Sequence, residues 1–319
     1  METSTCKLTD YADRLCGLID AALAECVNLP GGCPEKLREA MAYSLLAPGK
    51  RLRPMLVLMA AEACEGSFEA AMPAACAVEM VHAYSLVHDD LPAMDDDDLR
   101  RGRPTTHKKF GEAMAILAGD ALLPLAISTM SEGIEPPELA GRCCAVLAEA
   151  AGPCYLVGGQ ADDVDGDMGL AAFEDGDASL GSDATIDNEK QRERLEYLES
   201  IHNRKTGAMI RVSLALGAMI TGADDKQTEA LNRYGEKLGL AFQVTDDLLD
   251  VCSNEELVGK RVGKDAEQGK LTFPGLLGIE KSNMYAKQLI DDACRAIEPL
   301  GEPAWGLKAL AQYVLRRDH

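Results

Sequence analysis

The sequence has few aromatic residues, 4% of its 319 positions, and almost no alternating runs of Val, Ile and Thr. Both shortages argue against a fold built on sheets, because β-branched and aromatic residues are the preferred strand formers. The 47% of residues that are hydrophobic are instead dominated by Ala, Leu and Met, which favour helices. This composition predicts an all-α protein.

Positive charge is also scarce, since 32 Lys and Arg are outnumbered by 53 Asp and Glu, which gives a formal net charge of -21. Nucleic acids and anionic membrane surfaces would repel most of such a protein. We therefore expect no nucleic-acid partner. Any anionic ligand must be bound by local basic groups or by metal ions.

The N-terminal residues lack a basic start followed by an apolar core, and we find no later uncharged run long enough to span a bilayer. These absences predict a cytoplasmic protein without stable membrane insertion. The 11 cysteines form no CxxC pair, which favours reduced thiols over a disulfide framework or a zinc site.

Ala-rich and Leu-rich stretches recur with polar residues at helical spacing along most of the chain. They predict helices at 8–27, 36–46, 54–64, 70–91, 112–130, 137–157, 195–220, 226–249, 285–297 and 305–315. We expect a single large helical bundle that forms one domain over residues 1–319. The stretches 74–87 and 113–126 are apolar almost all round, which predicts central helices. Residues 162–188 are rich in Asp, Glu, Gly and Ser, which predicts a solvated acidic loop insertion.

The most informative segment is HDDLPAMDDDDLRRGRPTTH at residues 88–107. Asp89, Asp90 and a run of aspartates from Asp95 follow an apolar helix, and so many neighbouring acids are costly unless cations bind there. Pro92 removes a helix donor and disfavours the helical conformation of the residue before it. The helix should therefore end near Pro92, and Asp95 should turn back toward Asp89 to form a site for hard divalent ions.

A second acidic cluster occurs in FQVTDDLLD at residues 242–250. Asp246 and Asp250 are four residues apart and share one helix face, with Asp247 beside them. Either cluster alone could be a solvated helix end, but two that each follow an apolar helix are harder to explain in that way. Mg²⁺ prefers oxygen ligands and commonly joins one or two carboxylates to substrate phosphates. The two clusters therefore predict a diphosphate held between metal ions.

Basic residues accompany both clusters. Lys50, Arg51 and Arg53 stand at a predicted helix start, where backbone N–H groups also favour anions. The other candidate bases are Arg100, Arg101, Lys205, Lys260, Lys264 and Lys270. Ordinary salt pairing on an acidic surface is the alternative for all of them and the favoured interpretation for Lys264. No P-loop pattern is present, so the sequence gives nucleotide binding no support.

Together these motifs resemble the trans-prenyltransferase (polyprenyl diphosphate synthase) family, most closely the bacterial farnesyl diphosphate synthases. The resemblance runs in order through GKRLRP, HDDLPAMDDDDLRRGRPTTH, GGQADD, KTGAMI, FQVTDDLLD and GKLTFP, although the acidic segment after Asp163 is longer than is typical. It implies an all-α bundle of the isoprenoid synthase type with a deep central cavity, usually a homodimer. The implied substrates are isopentenyl diphosphate and an allylic diphosphate. The implied cofactor is Mg²⁺, with up to three ions when diphosphate is bound, or alternatively Mn²⁺.

The resemblance also implies roles for individual residues. The metal ligands would be Asp89, Asp95 and Asp246, supported by Asp90, Asp247 and Asp250. The isopentenyl diphosphate site would comprise Lys50, Arg53, His82 and Arg101. The allylic diphosphate site would comprise Arg100, Lys205, Thr206, Gln243, Lys260 and Lys270. Gln160 and Asp163 would lie in the site wall, and the catalytic set would be Asp89, Asp90, Asp95, Lys205, Asp246 and Lys260.

Such chemistry requires stabilisation of a departing diphosphate, which metal ions with Lys205 and Lys260 would supply, and it requires no nucleophilic triad. His82, seven residues before Asp89, lies close to the same helical face. By resemblance, the Tyr84 side chain would close the cavity floor and limit the product to the farnesyl length. Ideal helix geometry places Ser85, rather than Tyr84, nearest the Asp89 face.

Other functions stay open at this point. A synthase of geranylgeranyl or longer chains differs only in its product. A catalytically silent partner subunit or acidic scaffold would not need the surrounding bases. A terpene cyclase is disfavoured because that class normally carries an Asn/Ser/Glu metal triad, whereas Asp246, Asp247 and Asp250 stand here.

Overall fold

A computed structural model of the chain describes residues 2–29, 31–164, 184–252 and 271–316. Its helices are α1 (Glu2–Cys26), α2 (Glu35–Leu45), α3 (Leu52–Ala63), α4 (Phe68–Asp89), α5 (Thr106–Phe110), α6 (Glu112–Gly133), α7 (Pro137–Ala151), α8 (Leu156–Val164), α9 (Ala184–His202), α10 (Ala208–Thr221), α11 (Asp225–Cys252), α12 (Phe273–Leu277), α13 (Ile279–Ala296) and α14 (Trp305–Val314). A π-helical turn spans Asn203–Gly207, and 3₁₀ turns span Glu298–Leu300 and Glu302–Ala304. The prediction of an all-α protein is confirmed.

Within the described ranges, the only strands are β1 (Leu99–Arg100) and β2 (Arg103–Pro104). They pair antiparallel, with Leu99 opposite Pro104 and Arg100 opposite Arg103. This small hairpin immediately follows the first acidic run, so it determines where the two arginines after that run emerge.

Every predicted helix is present, although some boundaries differ. The helix predicted at 137–157 is two helices, because the extended backbone of Gly152 (φ -84°, ψ -168°) and the following Pro153 stop α7. The helix predicted at 195–220 is divided by the π-helical turn into α9 and α10. The short helices α5 and α12 were not predicted, since five residues are too few to show a helical period.

Helices extend into both ends of the predicted acidic loop. Helix α8 continues to Val164 and α9 begins at Ala184. The remainder of that loop, residues 165–183, lies outside the described residues.

Helix α4 is the centre of the hydrophobic core and carries the first acidic motif at its end. Ser67 caps its first turn by accepting a hydrogen bond from the Ala70 N–H at 3.2 Å. Small buried residues from Ala71 onward let α3, α6 and α10 pack closely against it. The prediction of a central helix is therefore correct for α4.

The corresponding prediction for α6 is wrong, because one of its faces is exposed. Ile116 and Leu117 retain 43% and 50% of their accessible surface, and Pro124 is exposed as well. Both α4 and α6 are long and apolar enough to cross a membrane by length and composition, which corrects the expectation that no segment qualifies. The relevant window of α4 is 61% buried and that of α6 33%. Such burial marks α4 as a core helix of the bundle and leaves the apolar surface of α6 to be explained.

Candidate active site

The first acidic motif folds back on itself at the end of α4. The helix ends at Asp89, and the backbone N–H of Asp95 donates a hydrogen bond to the Asp89 carbonyl oxygen at 2.9 Å. Met94 likewise donates to the Leu91 carbonyl at 2.9 Å, which tightens the turn that contains Pro92. The predicted return of Asp95 toward Asp89 is therefore confirmed.

The Asp89 carboxyl lies in an environment that disfavours its charge unless a cation is near. Burial, together with the neighbouring charges of Asp95 and Asp90, raises its pKa to about 6, against the opposing effect of Lys205 and Arg100. Several carboxyl oxygens at one partly buried helix end are the donor set that Mg²⁺ prefers. The residues present therefore fit a hard divalent ion.

Asp90 has a different environment from Asp89. It is 3% exposed, and its Oδ1 accepts hydrogen bonds from Arg100 Nε at 2.6 Å and Nη2 at 2.5 Å. Arg100 also lies 3.6 Å from an oxygen of Asp97. Asp90 thus orients the guanidinium of Arg100 through two charge-assisted contacts to one carboxylate oxygen.

The second acidic motif lies within α11, as predicted. The charge of Asp246 is one of those that affect the pKa of Arg53. The charges of Glu79 and Arg101 affect it as well. The Arg53 pKa is lowered, chiefly by burial, and its Nε is buried without a hydrogen-bond partner. Arg53 therefore links the second acidic motif to the basic residues around α4.

Asp247 and Asp250 support this part of the site from different positions. Asp247 is 8% exposed, and its Oδ2 accepts the Phe273 N–H at 2.9 Å, which holds α12 against α11. Thr272 caps α12 by accepting a hydrogen bond from the Gly275 N–H at 3.2 Å. Asp250 is partly exposed one helical turn beyond Asp246.

Two of the residues predicted to bind isopentenyl diphosphate, Arg53 and Arg101, lie near a third, His82. Burial lowers the His82 pKa well below 6.5, and the charges of Arg53 and Arg101, followed by those of Arg100 and Arg51, lower it further. The imidazole is therefore neutral at pH 7. Lys50 is exposed two residues before α3 begins.

The loop before α3 and the β-hairpin meet at a glycine. Arg101 Nη1 donates to the Pro48 carbonyl oxygen at 2.7 Å. A Cβ added to Gly49 would clash with Arg101 Nη1, so a larger residue would require the end of the Arg101 side chain to move. The glycine of GKRLRP therefore has a packing role that lets Arg101 lie against the loop before Lys50.

The GGQADD and KTGAMI motifs pack against each other. Lys205 Nζ pairs with Asp163 Oδ2 at 2.7 Å, and Arg204 Nη2 pairs with Asp162 Oδ2 at 2.6 Å. A Cβ on Gly159 would lie 2.9 Å from the Lys205 backbone nitrogen, which explains the need for glycine there. Helix α8 thus holds the π-helical turn in place through Asp162 and Asp163, and Gln160 of the same helix is partly buried. A place in the site wall for Gln160 and Asp163 stays a prediction.

Gln243 and Thr206 lie near His202 and Lys205, respectively. The Gln243 side chain hydrogen-bonds His202, whose ring stacks on Phe273 with centroids 5.6 Å apart. Burial lowers the His202 pKa to about 4, so this histidine is neutral at pH 7. Thr206 is partly buried in the π-helical turn. Lys260, Lys264 and Lys270 lie outside the described residues.

Tyr84 and Ser85 differ in their contacts. The Tyr84 ring is partly buried and meets the His88 ring edge-on, with centroids 5.2 Å apart and planes at 83°. The His88 ring nitrogen Nε2 is 3.1 Å from the Ile116 carbonyl oxygen, which places the pair against α6. Ser85 Oγ donates to the His82 carbonyl oxygen at 2.9 Å within its own helix. Of the two, only Tyr84 therefore offers a bulky group that could limit a cavity.

Sequence reasoning missed two features of this region. Glu79 is the only charged residue between Ala71 and Val87 of α4, and that isolation in an apolar helix was the available signal. Asp96, Asp98 and His107 bring one potential ligand atom each to within 4.8 Å of one another. Both aspartates of this group are exposed, and Asp98 already pairs with Lys108 at 2.7 Å. The group of Asp96, Asp98 and His107 is therefore a weaker candidate for a metal centre than the turn of Asp89 and Asp95.

Two of the recesses in the described part of the chain differ in their relation to the predicted site. A groove of about 720 Å³ between α1 and α2, lined by residues such as Glu25 and Arg38, contains none of the predicted site residues. A cavity of about 50 Å³ lies behind Arg100 and Asp90, with Leu86 in its wall. The deep central cavity implied by the resemblance stays a prediction.

Comparison with known proteins gives a consistent result. The Polyprenyl synthetase family profile matches residues 34–299. A farnesyl diphosphate synthase of Geobacillus stearothermophilus is 42% identical over 304 residues, which are 94% of this chain and 95% of that protein. A chloroplastic geranylgeranyl pyrophosphate synthase of Catharanthus roseus is 45% identical over 290 residues, which are 90% and 75% of the two proteins.

Among solved structures, the apo FPP/GFPP synthase from Zymomonas mobilis superposes with a TM-score of 0.79 at 34% identity, covering 98% of this chain and 99% of that one. The fold and the sequence therefore agree on the same class of enzyme. The chain belongs to the polyprenyl synthetase family and has the prenyltransferase activity of a prenyl diphosphate synthase.

Proposed function

We propose that the protein is a Mg²⁺-dependent farnesyl diphosphate synthase, which condenses isopentenyl diphosphate with dimethylallyl or geranyl diphosphate and releases diphosphate. The observation that carries the proposal is the return of Asp95 onto Asp89 at the end of α4, beside the charges of Lys205 and Arg100. Carboxylates and bases interleaved in this way suit a metal-bound diphosphate better than either charge alone.

In this proposal Asp89, Asp95 and Asp246 hold the metal ions. Asp90 and Asp247 act indirectly, because they orient Arg100 and Phe273, and Asp250 supports Asp246. The bound ions would neutralise charge on the diphosphate leaving group. This assignment divides the acidic residues into ligands and positioning groups.

The basic residues bind and orient the two substrates. Arg100, Lys205, Thr206 and Gln243, with Lys260 and Lys270, would contact the allylic diphosphate. The cluster of Lys50, Arg53, His82 and Arg101 would bind isopentenyl diphosphate. Because burial and four arginines keep His82 neutral, it can donate one hydrogen bond without adding to the local positive charge. The apolar residues of α4 would exclude water, which would otherwise trap the allylic cation.

The activity is tested by mixing purified protein, Mg²⁺, isopentenyl diphosphate and dimethylallyl diphosphate and resolving the products by chain length. We expect a fifteen-carbon diphosphate whose formation stops when a chelator is added and resumes when excess Mg²⁺ is restored. Geranylgeranyl or longer products would agree with the metal mechanism but would refute the farnesyl assignment. No product from any allylic starter would instead support a catalytically silent partner subunit.

We further propose that the protein is a single-domain, cytoplasmic homodimer without membrane insertion, in which a second copy covers the exposed face of α6. Ile116 and Leu117 are about half exposed on α6, a helix with few charged residues. Exposed apolar side chains of this size are typical of a protein interface. The opposite side of α6 packs on α4. The dimer contact would therefore lie on the side of α6 that faces away from Tyr84 and His88.

The variant Leu117→Glu should shift the protein from dimer to monomer, because a charge buried in an apolar contact must be desolvated. We expect dimer affinity to fall by about 100-fold or more, measured by sedimentation velocity over a range of protein concentrations. Met284→Glu is the matched control, since Met284 is 66% exposed on α13, a different helix. A dimer that persists in Leu117→Glu would contradict the interface.

A further inference from the structure

A buried ion pair lies beneath the proposed isopentenyl diphosphate site. Arg51 is 4% exposed and Glu79 is also 4% exposed. Arg51 Nη1 donates to Glu79 Oε1 at 2.8 Å, its Nε donates to Asp20 Oδ1 at 2.7 Å, and its Nη2 donates to the Ala47 carbonyl at 3.0 Å. One guanidinium therefore ties together α1, α4 and the loop before α3.

The backbone of Arg51 is held in an unfavourable conformation. Its φ of 46° and ψ of 38° are left-handed, although Arg is not one of the residue types that visit this region easily. The left-handed conformation is sterically unfavourable for a residue with a Cβ. The three side-chain contacts offset this cost, and the resulting bend sets the direction in which α3 begins.

Glu79 is also the counter-charge of the neighbouring arginines. Its charge acts on Arg53 and Arg101 as well as on Arg51. Glu79 precedes His82 by three residues, so both side chains lie on one face of α4. The buried Glu79 carboxylate thus balances part of the positive charge of the cluster that would bind the substrate phosphates.

We propose that Glu79 and Arg51 are positioning residues for the isopentenyl diphosphate site. Arg51 lies between Lys50 and Arg53 in the chain, so its fixed backbone determines where both of those side chains point. Glu79 holds Arg51 in place and limits the repulsion among the arginines. Neither residue contacts the substrate in this arrangement, and the inference rests on the proposed function of the Lys50 and Arg53 cluster.

The test compares steady-state kinetics of Glu79→Gln and Arg51→Lys with the unmodified protein. Arg51→Lys keeps the charge but cannot make the three directed contacts of the guanidinium. We expect the KM for isopentenyl diphosphate to rise about tenfold in both variants, as the loss of a charged hydrogen bond predicts. The KM for the allylic diphosphate should stay within about twofold. Glu69→Gln, which removes an exposed charge from the first turn of the same helix, is the control.

Binding of isopentenyl diphosphate measured by calorimetry should weaken by the same factor. Asp20→Asn provides a milder variant because the Asp20 side chain is 54% exposed, and it should shift the same KM by a smaller amount if Glu79→Gln does not fold. Equal changes in both KM values, or a lowered Tm with both KM values unchanged, would reduce the ion pair to a structural role and overturn the inference. A failure of the unmodified protein to form any product would refute the proposed function instead.

Discussion

Replacement of Asp89 by Ala should abolish turnover while the protein remains folded. Asp89 begins the turn that brings Asp95 back to the helix end, and it is the acid whose charge is most clearly disfavoured there. Loss of one preorganised group that stabilises developing charge typically lowers kcat by about 10²–10³-fold. We expect at least this loss in the product assay at saturating Mg²⁺.

The thermal stability of the same variant supplies an independent readout. The Asp89 pKa is raised to about 6, above the unfolded value of 3.8, so the ionised group destabilises the metal-free fold above pH 6. Below about pH 4 both states are protonated and the contribution vanishes. The metal-free Asp89→Ala protein should therefore have an equal or higher Tm at pH 8, with no such difference at low pH.

Asp96→Asn is the matched control for the metal assignment. Asp96 lies in the same acidic run, has a left-handed φ of 48° that Asn tolerates, and belongs to the exposed group with Asp98 and His107. Turnover close to that of the unmodified protein is expected. Full activity in Asp89→Ala combined with loss in Asp96→Asn would move the essential metal to the exposed group.

Replacement of Tyr84 by Ala should lengthen the product. The Tyr84 ring is the bulky group that α4 places near Asp89, whose charge helps to raise the tyrosine pKa after burial. Without the ring, a growing chain could pass the proposed floor of the cavity. We expect most of the product to be geranylgeranyl diphosphate or longer when geranyl diphosphate and excess isopentenyl diphosphate are supplied.

Tyr84→Phe separates the size of the ring from its hydroxyl group. It keeps the edge-on contact with His88, so the product should remain at fifteen carbons. An unchanged product in Tyr84→Ala would refute the floor role. The relatives differ in the product that their names state, so product analysis of these two variants also tests the farnesyl assignment directly.

The elements that could be predicted from sequence are those with a local cause. Helical period and an Ala-rich and Leu-rich composition predicted the long helices, and Pro92 predicted the end of α4 and the return of Asp95. Each of these depends on residues within a few positions of one another. Local chemistry was therefore sufficient to predict the backbone turn of the first acidic motif.

The features that sequence reasoning missed depend on contacts between distant elements. The bond between Asp247 and the Phe273 N–H, and the enclosure of Arg51 by Asp20 and Glu79, join residues 26–31 positions apart. The exposed face of α6 was missed for a related reason. A helix that is apolar all round has the same composition whether its outer face meets another helix or another molecule.

The π-helical turn at Asn203–Gly207 determines where the side chains within it point. A π turn holds an extra residue, so deleting one residue other than Lys205 from 203–207 would let α9 and α10 join as one regular α-helix. The wider i→i+5 hydrogen bonds accommodate the extra residue, so the deletion would redirect side chains within the turn while α9 and α10 keep nearly their present phase. The shortened protein would keep its helical content, yet Lys205 would no longer face Asp163. We therefore expect the number of residues at this junction to be more tightly constrained than the identity of most of its side chains.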